Sequence, residues 1–173
     1  MLLATNTIRV EASEDDVWRV LAHRFGDIGQ WCATVNSSSP QDGTRISGAP
    51  CSGRYCDTVF GPFTEVFTQF DDREKAMKYD ARSEKLPFFI RKFTNEFHVR
   101  PDGPTGSEVT MVAGADMVPP FGFLFRFLMR MQVGKALMNQ MEELKYFAEH
   151  GQPHPRKVAA QARLGVPKAA LPG

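Results

Sequence analysis

Cysteine is scarce, with three copies, Cys32, Cys51 and Cys56, in 173 residues. An odd number with no CxxC pair excludes a disulfide framework and a zinc ribbon. The four histidines, His23, His98, His150 and His154, stand far apart, so no metal site is expected. An excess of charge of either sign is missing too. The formal net charge is +1, which gives no electrostatic reason for a nucleic-acid partner. Long apolar runs are missing as well. The best candidate, MVPPFGFLFRFLMRM, is broken by Pro119, Pro120, Arg126 and Arg130, so no transmembrane segment is expected. The opening MLLATNTIRVEA turns polar too soon for a signal peptide, and a cytoplasmic protein with reduced thiols is the expectation. No Ser-His-Asp order, P-loop or dinucleotide-binding glycine turn occurs. No cofactor is therefore expected, and any catalysis must be acid–base chemistry by side chains.

What the chain does have is phenylalanine. Its 14 copies outnumber two tryptophans and three tyrosines together, and 8 methionines accompany them. Such residues suit an adaptable apolar lining. A hydrophobic fraction of 42% and a charged fraction of 24% describe an ordinary globular domain.

TIRVEA, residues 7–12, alternates as a first strand. Ser13 followed by Glu14, Asp15 and Asp16 resembles a capping box, and Val17, Val20 and Leu21 continue at helical spacing. A helix over 14–23 is expected, then a second short helix or turn in FGDIGQW and a strand at 31–38. A turn-rich stretch, 40–53, could hold a short strand near Arg45–Ser47. Alternating stretches at 54–60, 62–71, 75–84, 89–100 and 107–118 predict an antiparallel meander. After Pro119-Pro120 the period changes to that of a long helix over 122–149, ending at Gly151. Residues 1–150 read as one ligand-binding domain and 151–173 as a basic Pro/Ala-rich tail with at most transient helix.

One stretch resists a simple reading. GPFTEVFTQFDD, residues 61–72, has strand composition, but each face mixes polar and apolar residues, and Glu65 lies between Phe63 and Phe67. A half-buried strand should keep the two apart.

Several segments together resemble the START-like superfamily, also called SRPBCC or helix-grip proteins. They are IRVEASEDDVWRVLAHRFGDIGQW, SGRYCDTV, TEVFTQFDDREKAMKYDA and the Phe/Leu/Met-rich final helix, covering about residues 5–149. The superfamily includes the birch pollen allergen family, plant abscisic acid receptors, bacterial polyketide cyclases/dehydrases and lipid-transfer domains. The resemblance implies an α+β helix-grip fold: a curved antiparallel sheet of about six or seven strands wrapped around a long C-terminal helix, with two short helices after the first strand. It implies a cavity between sheet and helix for a hydrophobic small molecule, and it implies no particular reaction. The ligand-gating loop pattern of the abscisic acid receptors is absent, since the matching loop reads Leu86-Pro87-Phe88.

In the receptors the matching glutamate faces the cavity, which points to Glu65, and the aromatic of the next strand corresponds to Tyr79. Strand parity then turns Phe63, Glu65, Phe67 and Gln69 inward, followed by Met77, Tyr79 and Ala81, and by Phe93, Asn95, Phe97 and Val99. Glu65, Tyr79 and Asn95 would form a polar cluster in an apolar wall. Trp31, Phe127, Met131 and Met138 are further lining candidates. Arg54 could bind an anion or pair with Asp57 or Glu65, and Arg91 is another partner for that carboxylate. The Phe121/Phe123/Phe127 cluster could pack the helix, gate the cavity or face a second copy in a homodimer. The first functional expectation is a carrier of a hydrophobic or amphipathic molecule. The alternative is a cofactor-free polyketide cyclase/dehydratase with Glu65 as catalytic acid/base. A weaker one is an interaction module built on the helix and basic tail.

Overall fold

The computed structural model describes residues 1–119 and 126–165. Strands β1 (Leu2–Val10), β2 (Val35–Gln41), β3 (Gly53–Thr58), β4 (Gly61–Asp71), β5 (Ala76–Arg82), β6 (Ile90–Asp102) and β7 (Gly106–Met117) form one sheet. Its order is β1-β7-β6-β5-β4-β3-β2, and neighbouring strands are antiparallel throughout. Between β1 and β2 lie helix α1 (Glu14–Trp18), a π-helical turn (Arg19–His23) and a 3₁₀ helix (Phe25–Gln30). Two helices follow the sheet, α2 (Arg126–His150) and α3 (Pro155–Arg163). This is the helix-grip architecture. No strand forms at Arg45–Ser47, and the first strand begins five residues before the alternation at Thr7 suggests.

Local chemistry sets the element ends. Ser13 caps α1, its Oγ accepting from the Asp16 amide at 3.2 Å. Gly151, at φ 66°, closes α2 with its amide on the Phe147 carbonyl at 2.9 Å. Gly26 is needed where the 3₁₀ helix touches β2, because a Cβ there would lie 2.9 Å from Pro40 Cδ.

Helix α2 is tied along β1. Asn6 Nδ2 donates to the Gly134 carbonyl at 3.4 Å, and Lys145 Nζ to the Arg9 carbonyl at 2.9 Å. The Glu11 amide donates to Glu149 Oε1 at 2.7 Å. The C-terminal half of α2 sends Met141, Leu144 and Phe147 into the main core, where they join Trp18, Phe25, Met77, Phe97, Val99, Val109 and Met111. No helix among the described residues is long and apolar enough to cross a membrane.

The C-terminal segment differs from its sequence expectation. His154 caps α3 through its ring nitrogen. Arg156 Nη1 donates to Asn139 Oδ1 at 2.7 Å and Nη2 to Glu142 Oε2 at 2.5 Å. Lys157 is 1% exposed, with Nζ on the Val35 carbonyl at 2.5 Å. Composition suggested a solvated tail because large apolar residues are few. Docking here is by basic side chains onto acceptors presented by α2 and β2. Removing residues 152–173 is therefore expected to cost about 1–3 kcal/mol, or roughly 2–10 °C of melting temperature for a chain of this size. Calorimetry of the truncated protein checks this, and an unchanged melting temperature would show that α3 adds no stability.

Candidate functional site

The pairing register shows which side chains share the concave face. One row runs Arg54, Glu65, Ala81, Phe93 and Ala115 across β3 to β7. The next runs Phe67, Tyr79, Asn95, Ala113 and, on β1, Ala4. Glu65, Tyr79 and Asn95 thus stand on adjacent strands of one face.

The two-faced β4 has a physical explanation. Its register with β5 slips between Phe67 and Gln69, a β-bulge that uses up Thr68. Beyond it the parity reverses. Gln69, expected inside, pairs with Lys78 and is exposed. Phe70 turns inward opposite Met77 and packs on Trp18 and Phe67, with ring centroids 5.6 and 5.4 Å apart. Once the inserted residue is counted, Phe63, Phe67 and Phe70 share the inner face of the strand, with Glu65 as its one polar member.

Glu65 does not stand alone between its phenylalanines. Arg54 Nε donates to Glu65 Oε2 at 2.5 Å, and Arg54 Nη1 donates to the Phe25 carbonyl at 2.8 Å. The guanidinium carbon lies 3.8 Å from the Phe25 ring centroid and 5.4 Å from that of Tyr79. Burial is the largest influence and opposes the Arg54 charge; its polar neighbours, the Glu65 carboxylate first among them, act against that and leave the guanidinium above its ordinary range. Burial, then the nearby carboxylate, pushes the Tyr79 hydroxyl far up, so it remains a protonated phenol. The Arg54 side chain is 3% exposed and the Glu65 side chain 14%. The carboxylate is the member of the pair that can be reached.

The concave face divides into a sealed and an accessible half. Phe67, Met77, Tyr79 and Phe97 are buried under the short helices and the second half of α2. Phe63, Glu65, Phe93 and Asn95 are only half-buried, although they point the same way. On α2, Val133, Leu137 and Met138 are also half-buried, and Leu137 packs against the main core. Small side chains, Ala4, Ala81, Ala113 and Ala115, occupy the inner face of the sheet beside them, the last three buried, and Gly134 lies against Ala4. A separate groove of about 410 Å³ lies between α2 and the far edge of the sheet, lined by Thr34, Phe60, Gln132, Lys135, Asn139 and Arg156 among others; Phe63, Glu65, Phe93 and Asn95 do not line it.

Other candidates are placed differently. Phe127 and Met131 are 76% and 61% exposed, at odds with an enclosed lining. Trp31 is buried in the core, and its indole N–H has no hydrogen-bond partner among the described residues. Phe121 and Phe123 lie outside the described residues. All three thiols are free and buried. Burial pushes Cys56 up to about 12 and raises Cys32 and Cys51, so none is an activated nucleophile. Sequence reasoning missed Phe25, whose ring and carbonyl both hold Arg54. The FGDIGQW glycines were the available signal, since Gly26 lets that segment approach the sheet. It also missed Glu143, a buried carboxylate on α2 that accepts the Ala33 amide at 2.8 Å and is raised by burial.

A family model described as "Polyketide cyclase / dehydrase and lipid transport" matches residues 1–149. The chain belongs to this family. No curated protein matches it in sequence. Solved structures share the fold at low identity. A START superfamily protein from Mycobacterium smegmatis superposes with a TM-score of 0.61 at 14% identity, covering 82% of this chain and 95% of that one. Norcoclaurine synthase from Thalictrum flavum, in complex with dopamine and hydroxybenzaldehyde, gives 0.59 at 17%, covering 85% and 86%. The di-domain ARO/CYC protein BexL of the BE-7585A biosynthetic pathway gives 0.65 at 11%, covering 83% of this chain and 46% of that one. At these identities the likeness shows the fold alone.

The ion pair predicts an asymmetric mutational response. Arg54→Met leaves the Glu65 charge uncompensated in the wall and should cost about 3–5 kcal/mol. Adding Glu65→Leu should restore most of that loss, because a buried pair contributes little over apolar packing. Urea unfolding of both variants and of the parent measures the difference. Equal stability of the single and double variants would mean that Glu65 does not depend on Arg54.

Proposed function

We propose that the protein binds a hydrophobic or amphipathic small molecule between the accessible half of the sheet and the first turns of α2, as a carrier or binding protein. The observation that carries this is the half-burial of four inward-facing residues, Phe63, Glu65, Phe93 and Asn95, beside a sealed core. Inward residues of a solid core would be covered like Met77 and Phe97. Apolar walls with a few convergent polar groups are the usual composition of a small-molecule site. Membership of a cyclase, dehydrase and lipid-transport family, and a shared fold with a synthase that holds two small aromatic molecules, support the same reading. Three buried free thiols fit a reducing, cytoplasmic setting.

The second reading, a cofactor-free cyclase or dehydratase, places proton transfer on Glu65. One specific feature favours it: the carboxylate is reachable, with a buried cation behind it and the protonated Tyr79 phenol in the next row. Arg54 also occupies Oε2, so Glu65 would work through its other oxygen.

Two substitutions test the proposal. Asn95→Phe fills the accessible half and should weaken binding of a neutral apolar dye such as Nile red at least about tenfold, the effect of removing room for a ligand group worth ~1.4 kcal/mol. Its melting temperature should stay within a few degrees of the parent. Unchanged dye binding with a large fall in stability would mean that the wall is solid. Glu65→Gln should change affinity for a neutral ligand by about tenfold or less if the protein is a carrier. It should cut turnover by roughly 10²–10⁴ if Glu65 is the acid/base.

A further inference from the structure

The polar end of this site is one-sided, and that selects the ligand's head group. We infer that the ligand carries a hydroxyl, as an alcohol or phenol, which donates to Glu65, and that carboxylate-headed molecules such as fatty acids are rejected. The inference rests on the cavity reading above.

Arg54 is the one cation facing inward from β3 to β7 among the described residues, and its charge is already used. Its Nε goes to Glu65, its Nη1 to the Phe25 carbonyl, and its flat face to the Phe25 ring. At 3% exposure it is not available to an incoming anion. Glu65 stands in front of it, with Oε2 taken and the carboxylate 14% exposed. The pair is neutral in sum but oriented with its negative end toward the cavity. A carboxylate arriving there meets a like charge, loses its hydration and gains no cation from the sheet. A hydroxyl brings no charge to desolvate and makes a charge-assisted hydrogen bond. Phe93, in the row that holds Glu65, and Phe63, one row further along β4 opposite Cys56, supply apolar contact for a ring or chain behind that hydroxyl. Asn95 can serve a second polar group, because its amide both donates and accepts.

Three probes of one shape test this: naphthalene, and naphthol and naphthoate substituted at the same ring position. Each is titrated into the full chain at neutral pH, and backbone amide NMR shifts locate the site. Naphthol is expected to bind at least about tenfold more tightly than naphthoate, the scale set by one charge-assisted hydrogen bond against one like-charge contact. Naphthalene should fall between them. The amides of Glu65, Ala81 and Asn95 should shift. In Glu65→Gln the naphthol preference should shrink to about threefold or less, since the like charge is gone. A wild-type preference below tenfold, with the same amides shifting, overturns the head-group inference and leaves the cavity standing. Failure of all three probes to shift those amides overturns both. The wild-type comparison decides the matter even if Glu65→Gln does not fold.

Discussion

Arg54 and Glu65 are the interaction around which the accessible part of the sheet is organised. A guanidinium held inside a β-sheet domain needs a counter-charge and acceptors for its remaining donors. Two elements supply them: β4 through the Glu65 carboxylate, and the 3₁₀ helix through the Phe25 carbonyl and the Phe25 ring, which lies against the guanidinium. This fixes where the 3₁₀ helix sits, and Gly26 allows the close approach. It also seals one end of the concave face and leaves the carboxylate at the border of the other. The polar part of the site is therefore positioned by elements that also form the core.

The rest of the site follows from what α2 does not fill. Its second half is anchored by Glu149 to β1 and buries Met141, Leu144 and Phe147. Its first half is held near β1 by Gly134 against Ala4, and the sheet below it carries alanines at Ala113 and Ala115. Small side chains on both surfaces keep the backbones close at the edge. One helix is thus a core element at its C-terminal end and lies along β1 nearer its start.

Much of this was legible in the sequence because alternation survives wherever a strand is regular. Tyr79 and Asn95 lie in undisturbed runs, and once the resemblance turns Glu65 inward, parity carries the same face to both. β4 was legible only up to Phe67. A bulge adds one residue without any marker in composition, so Gln69 and Phe70 exchanged faces unannounced. The partner of Glu65 could be narrowed to a few arginines but not chosen, because pairing depends on strand register. The docking of α3 was not legible at all. Lys157 is buried by a hydrogen bond to a main-chain carbonyl, and hydropathy patterns do not report that kind of attachment.

The account's central claim is that the accessible half of the concave face holds a small molecule. Native mass spectrometry of the purified full chain tests it most directly, with the denatured protein as reference. The account predicts a native species heavier than the denatured chain by the mass of one small organic molecule, recoverable on denaturation. It predicts that Asn95→Phe lacks that added mass while remaining folded. Identical native and denatured masses, together with no apolar probe reaching the amides of Glu65, Ala81 and Asn95, would contradict it.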